Sequence, residues 1–318
     1  MPPRTALVPA LLLLAACGGC QSVSQRFLSV VGLQQRPLSV ALVDNDPAPA
    51  ARLLNPFPAY EPLQRALAEE LHRPVAVDVC FCFQAERGLA NGWYDLAVLT
   101  PGQYARLPLA HSLRVLALPI DERGGAAEQG LLIVRADSPI AGPTELRGKV
   151  VVFGPAGDTL THVAALARLR RDGLRPQDLQ LDLLPIPNSL RHRPDAAAVA
   201  REILSGSAAA GFVREADWAA WPATAAAPEA AARDRLRIIA RTLRLPRHLV
   251  IAGPALDAET AERIRDFLLH TDTRHTRALA ALGLAGYSEP NAELVAACRG
   301  LSEQPTPESH PSSTAQRP

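Results

Sequence analysis

The sequence predicts an α/β fold of two lobes, each built on a mostly parallel sheet, with a hinge between them. Three observations predict it. Short apolar runs rich in Val and Leu alternate with segments of 3.6-residue periodicity, as in repeated βαβ units. Leu131 to Arg135 reads as an extended strand leaving a first set of such units, and Leu236–Leu243 and His248–Ala252 read as strands returning to it. Between them, Lys149–Phe153 reads as a buried strand that breaks at Gly154-Pro155-Ala156-Gly157 before Asp158 opens an amphipathic helix. Such a junction aims unpaired backbone amides at whatever sits there, and in open α/β sheets ligands sit outside the carboxyl ends of the strands.

In chain order, Arg4 precedes an apolar run from Ala6 to Leu14 and the box Leu14-Ala15-Ala16-Cys17. The run is shorter than the roughly 20 apolar residues of a membrane span. Residues 1–16 therefore read as a lipoprotein signal peptide, with Cys17 lipidated after cleavage and plain secretion as the alternative. Cys20 is a second candidate whose box lacks the leading apolar residue. Residues 17–36 read as a tether from the membrane anchor, and 302–318, rich in Pro, Ser, Thr and Glu, as a disordered tail. The expected first lobe covers 37–135 and 244–301. Its strands are Leu38–Val43, Val75–Cys82, Asp95–Leu99 and Leu113–Pro119, and its helices are Tyr60–His72, Gln84–Asn91 and Pro101–Leu107. The expected second lobe covers 136–243, with strands at 149–153, 180–185 and 208–213 and helices at 158–172 and 195–205. Helices at 257–270, 273–282 and 290–299 complete the chain.

Cleavage before Cys17 removes Arg4, leaving 32 of the 33 basic residues against 32 acidic ones. A neutral chain without a basic run argues against a nucleic-acid partner. Lys149 is the single lysine. Hydrophobic residues make up 48% of the chain and aromatics only 4%, so two cores of Ala, Leu and Val are expected.

The motifs, taken in order, resemble the periplasmic solute-binding proteins of phosphate, phosphite and phosphonate ABC transporters. Tyr60-Glu61-Pro62-Leu63 resembles that family's Y-x-P-L, and Asn91 to Ala97 its G-x-x-D-L-A before a ligand-side loop. Ser138-Pro139-Ile140 with Glu145 to Val150 resembles S-P-I and D-L-K-G-K, and Leu245-Pro246 and Leu279–Tyr287 resemble I-P and L-x-x-L-G-x-x-G-F. The resemblance implies a type II periplasmic binding protein fold that closes on a small oxyanion and hands it to an ABC permease, with no cofactor and no catalysis. Carried over residue by residue, Tyr60 and Tyr104 would line the cleft from the first lobe, and Asp158, Thr159 and Thr161 fall on the family's helix start in the second. Thr100, His162 and His192 are further candidate ligand contacts, His192 standing after an insertion relative to the family's G-S-H.

The chain departs from this family at the tip. Its hydroxyl-rich S-T-S-G helix start falls on Asp158-Thr159-Leu160-Thr161, and a carboxylate aimed at an oxyanion costs several kcal/mol in a poorly hydrated cleft. Asp158 is therefore expected chiefly as an N-cap of its own helix. The acid that amino-phosphonate binders carry after G-x-V has only alanine at the matching place within Gly206–Gly211. Arg191 and Arg193 beside His192 offer charge for an anion or form a solvated basic loop. A periplasmic sensor or accessory lipoprotein of the same fold is the alternative to transport.

Asp158 and His162 have the i, i+4 spacing of a carboxylate-oriented histidine, but there is no G-x-S-x-G elbow, H-E-x-x-H pair or P-loop to make an enzyme. Cys80, Cys82 and Cys298 read as buried thiols or one disulfide to Cys298, ahead of a soft-metal site. Trp93, Tyr94, Trp218 and Trp221 are candidates for stacking on a ligand, with packing as their default role.

Overall fold

Strand β1 (Leu38–Leu42) is buried along its whole length, as a strand must be when it has partners at both edges and helices over both faces. A computed structural model describes it together with the rest of residues 36–43, 57–108, 110, 112–122, 125–180, 190–224, 233–271 and 275–301. After β1 come α1 (Phe57–Leu71), β2 (Val75–Val79), α2 (Cys82–Ala90), β3 (Leu96–Leu99), α3 (Pro101–Arg106) and β4 (Val115–Asp121). The chain then builds a second lobe from β5 (Gly130–Arg135), β6 (Val151–Phe153), a π-helical turn (Thr159–Val163) running into α4 (Ala164–Arg171), β7 (Arg191–His192), α5 (Ala196–Leu204), β8 (Ala210–Arg214), α6 (Glu215–Thr224) and β9 (Leu236–Arg241). It returns through β10 (Leu249–Ala252), α7 (Ala258–Leu269), α8 (Thr276–Ala281), β11 (Leu284–Ser288) and α9 (Ala292–Arg299).

The first sheet has the order β11-β4-β10-β3-β1-β2 and the second β7-β6-β8-β5-β9. Strands β1 to β4 run one way, with β10 and β11 reversed; β6 to β9 run one way, with only β5 reversed. Direction is thus mostly parallel, as expected, while many neighbouring pairs are antiparallel. The reason lies in the connections: β5 and β10 each enter straight from the opposite lobe and insert between strands that arrived through helices. β5 hydrogen-bonds to β8 and β9 and so stands in the second sheet, although the expected boundary at 135/136 counted it with the first lobe.

The two crossings form a ribbon. Glu128 and Leu245 exchange amide-to-carbonyl bonds of 2.9 and 2.8 Å, and the Thr242 amide donates to Gly130 O at 2.9 Å. Beside the ribbon, Leu160 and Ala164 of the second lobe join Tyr104, Ala105, Leu107, Leu245, Leu249, Cys298 and Leu301 in one apolar cluster, a seam between the lobes. Cys80, Cys82 and Cys298 pack into that cluster as free thiols, the first of the two expected readings. Burial pushes Cys80 up to about 11 and Cys298 up to about 12.

The sequence did not announce α6, β7, β11 or the π-helical turn. The expected strand at 180–185, the signal peptide with Cys17, most of the tether and the tail lie outside the described residues. Among the described residues no helix is long and apolar enough to cross a membrane.

Candidate functional site

The turn after β6 is shaped by close approach. A side chain at Gly154 would place its Cβ 2.1 Å from Thr161 Oγ1, and Gly157 has φ +85°. Glycine is the residue that fits both requirements. Asp158 then caps the helix: its Oδ1 accepts from the amides of Leu160 at 3.1 Å and Thr161 at 2.8 Å, and from the Thr161 hydroxyl at 2.7 Å. Its Oδ2 pairs with Arg214 at the end of β8. Burial works against ionisation of Asp158, but the Arg214 charge and the Thr161 hydrogen bonds outweigh it and hold the carboxyl below the usual carboxylate range.

Asp158 and Thr159 face a cleft of about 360 Å³ between the lobes. Thr100, Asp121, Glu122, Leu245, Pro246, Arg247 and His248 line it from the first lobe and the crossings; Pro155 to Leu160, Glu128, Arg214, Ala216 and Asp217 line it from the other side. Thr100 caps α3, its hydroxyl oxygen accepting from the Gln103 amide at 3.3 Å. Glu128 accepts from the Ala216 amide at 2.9 Å, and burial raises its carboxyl pKa against the pull of that bond and of Arg214. Five carboxylates therefore share the lining with two arginines and one histidine.

Of the residues expected at the site, the structure brings Thr100, Asp158 and Thr159 to the cleft. Thr161 lies beneath it, buried, its hydroxyl bound to Asp158. His162 and His192 form a pair behind the turn, ring centroids 4.6 Å apart, and do not line the cleft. His162 Nδ1 accepts from the Gly157 amide at 2.7 Å, and His192 Nδ1 meets Gly154 O at 2.7 Å. Burial, then the neighbouring His192, push His162 down to about 4. The Asp158–His162 spacing therefore makes no catalytic dyad. Arg191 and Arg193 both bind Glu202, and neither lines the cleft.

Two tyrosines are corrected. Tyr104 is fully buried in the seam, its hydroxyl donating to Ala110 O at 2.6 Å and accepting from Arg299 Nε at 3.2 Å. Tyr60 lines a separate apolar cavity of about 190 Å³ between α1 and the first sheet, with Tyr287. An aromatic ring gains more from these packed settings than from a wet cleft. Trp218 and Trp221 pack edge to face at 6.2 Å, with Arg233 over Trp218, and Tyr94 is buried against Gly88. Sequence reasoning missed Arg214, Glu128, Asp217, Arg247 and His248. Two signals were present: Arg214 follows Gly211-Phe212-Val213, so the residue after G-x-V is a cation rather than alanine, and Arg247-His248 follow Leu245-Pro246. Among the described residues no three metal-ligating side chains come together.

Residues 57–295 match the family described as ABC transporter, phosphonate, periplasmic substrate-binding protein. The chain belongs to this family. Its members are substrate-binding components of transporters, which implies a solute-binding role in the periplasm and an ABC permease as partner. A comparison with curated proteins found no match. Among solved structures, the Xanthomonas citri protein XAC2383 bound to chloride is similar at 20% identity and TM-score 0.62, covering 83% of this chain and 95% of its own. The same protein bound to ATP is similar at 19% identity and TM-score 0.61, with the same coverage. PhnD1 from Prochlorococcus marinus in complex with methylphosphonate is similar at 13% identity and TM-score 0.54, covering 83% of this chain and 96% of its own. At these identities the likeness shows the shared fold.

Proposed function

We propose that the chain is a lipid-anchored periplasmic solute-binding protein. Cys17 and the tether hold it to a membrane, the lobes capture a small solute in the cleft, and bending of the Glu128–Leu245 ribbon presents the solute to an ABC permease. The observation that carries this reading is the polar cleft of about 360 Å³ walled by both lobes and flanked by the Glu128–Leu245 ribbon. The family supports a small oxyanion as solute, and Arg214, Arg247, His248 and the hydroxyls of Thr100 and Thr159 favour it. Asp121, Glu122, Glu128, Asp158 and Asp217 oppose it, so the lining favours a polar solute that carries hydrogen-bond donors over a bare dianion.

Thermal unfolding and calorimetry with phosphate, phosphite, methylphosphonate and amino-bearing or uncharged solutes of similar size test the reading. A solute at a hundredfold its Kd stabilises by about 2.7 kcal/mol, a Tm rise of roughly 5 °C. No stabilisation by any member would overturn solute capture. The alternative, a sensor or accessory lipoprotein, draws support from the Leu160 and Thr161 amides, at the start of the helix that follows the β6 turn (the cradle helix), being bound internally by Asp158. An adjacent histidine kinase or cyclase gene, in place of a permease and ATPase, would favour it.

A further inference from the structure

We infer that Asp158 is a built-in anion: its carboxylate takes the place a solute oxyanion would occupy at the start of the cradle helix, and so sets what the cleft rejects. The inference rests on the cleft being the solute site, as proposed above. Two helix-start amides, one hydroxyl and one guanidinium converge on this carboxylate, from Leu160, Thr161 and Arg214. That is the donor set with which proteins hold carboxylates and phosphates. In the preceding loop, the Gly157 amide is engaged by His162 and the Asp158 amide by Pro155 O. The Asp158 side chain is 9% exposed and that of Arg214 32%, so the carboxylate is shielded from water while the guanidinium is partly wet.

The geometry has a consequence for selectivity. A second anion at this helix start would meet a like charge at contact distance and find the donors already committed, which is discrimination by a repulsive element. Thr100, Thr159, Glu128 and Asp217 remain on the cleft wall for the donor-bearing part of a solute.

Calorimetric titration of the wild type, Asp158→Ser, Asp158→Asn and the double variant Asp158→Ser/Arg214→Ala with phosphate and methylphosphonate tests this, with circular dichroism as the check on folding. Serine and asparagine both cap helices, so the helix start is kept while the charge is removed. The wild type should give no heat, and the Ser variant should bind on the order of a hundredfold tighter than the wild type, a gain the added Arg214→Ala abolishes. If Asp158→Ser does not fold, Asp158→Asn carries the comparison. The inference is overturned if the wild type binds either anion as tightly as the variants, or if a folded Ser or Asn variant gains nothing. Failure of solute capture reads out separately: a wild type indifferent to the whole solute panel removes the proposed function, whereas anion binding gained by Asp158→Ser still upholds the role of Asp158.

Discussion

The first turn of the cradle helix faces two different regions, the apolar seam and the polar cleft. On the seam side, Leu160 and Ala164 pack with Tyr104, Leu107, Cys298 and Leu301 of the first lobe. On the cleft side, Asp158 and Thr159 stand among five carboxylates, two arginines and a histidine. The seam holds through buried apolar area, which is indifferent to what the protein binds. The cleft holds through fixed charges and directed donors, which decide what enters. One helix start therefore fixes the lobes on one side and the selectivity on the other, and the two can be perturbed separately.

The largest effect is expected from the seam. Tyr104→Ala removes a fully buried ring and two hydrogen bonds, and should lower stability by about 3–5 kcal/mol in denaturant unfolding while leaving the cleft charges in place. On the cleft side, Arg214→Ala leaves the Asp158 carboxylate without its counter-charge. Allowing for the partial exposure of the arginine, the cost is about 2–3 kcal/mol, and Asp158→Asn in the same chain should recover part of it. A stability equal to the wild type in the single variant would show that the pair is not what steadies the turn.

Gly130→Ala strikes both regions at once. Its Cβ would lie 2.6 Å from Leu160 O, so the cradle must shift away from the crossing, at about 1–3 kcal/mol and with loss of solute affinity. The smallest effect comes from His162, whose pKa is held down to about 4 from an ordinary 6.5. The unfolded chain then binds the proton more readily than the folded one, so stability falls as pH drops from about 6.5 to 4. Discounted for its partial exposure, the loss is about 1–2 kcal/mol, absent in His162→Gln. Asp158, with its depressed pKa, adds a separate loss only below about pH 3.8, its ordinary value.

Much of the fold was legible because its strands are short β-branched runs and its helices carry 3.6-residue spacing, as in Val151–Phe153 and Phe57–Leu71. The reversal of β5 and β10 was not, since strand direction within a sheet depends on partners far along the chain. At the site, the cap was readable from Gly154-Pro155-Ala156-Gly157 followed by Asp158, all of it local. Its ion-pair partner Arg214 lies 56 residues away, and the G-x-V before it marks a cation without saying which carboxylate it meets. Tyr60 and Tyr104 misled for a similar reason: a tyrosine in sequence does not say whether its ring lines a cleft or fills a seam.

The most direct test of the central claim is a crystal structure with the bound solute that thermal shift identifies. Asp158 should remain on the Leu160 and Thr161 amides and on Arg214, with the solute held by Thr100, Thr159 and the other cleft side chains. An oxyanion seated on those two amides, with Asp158 swung away from the helix start, would contradict the account.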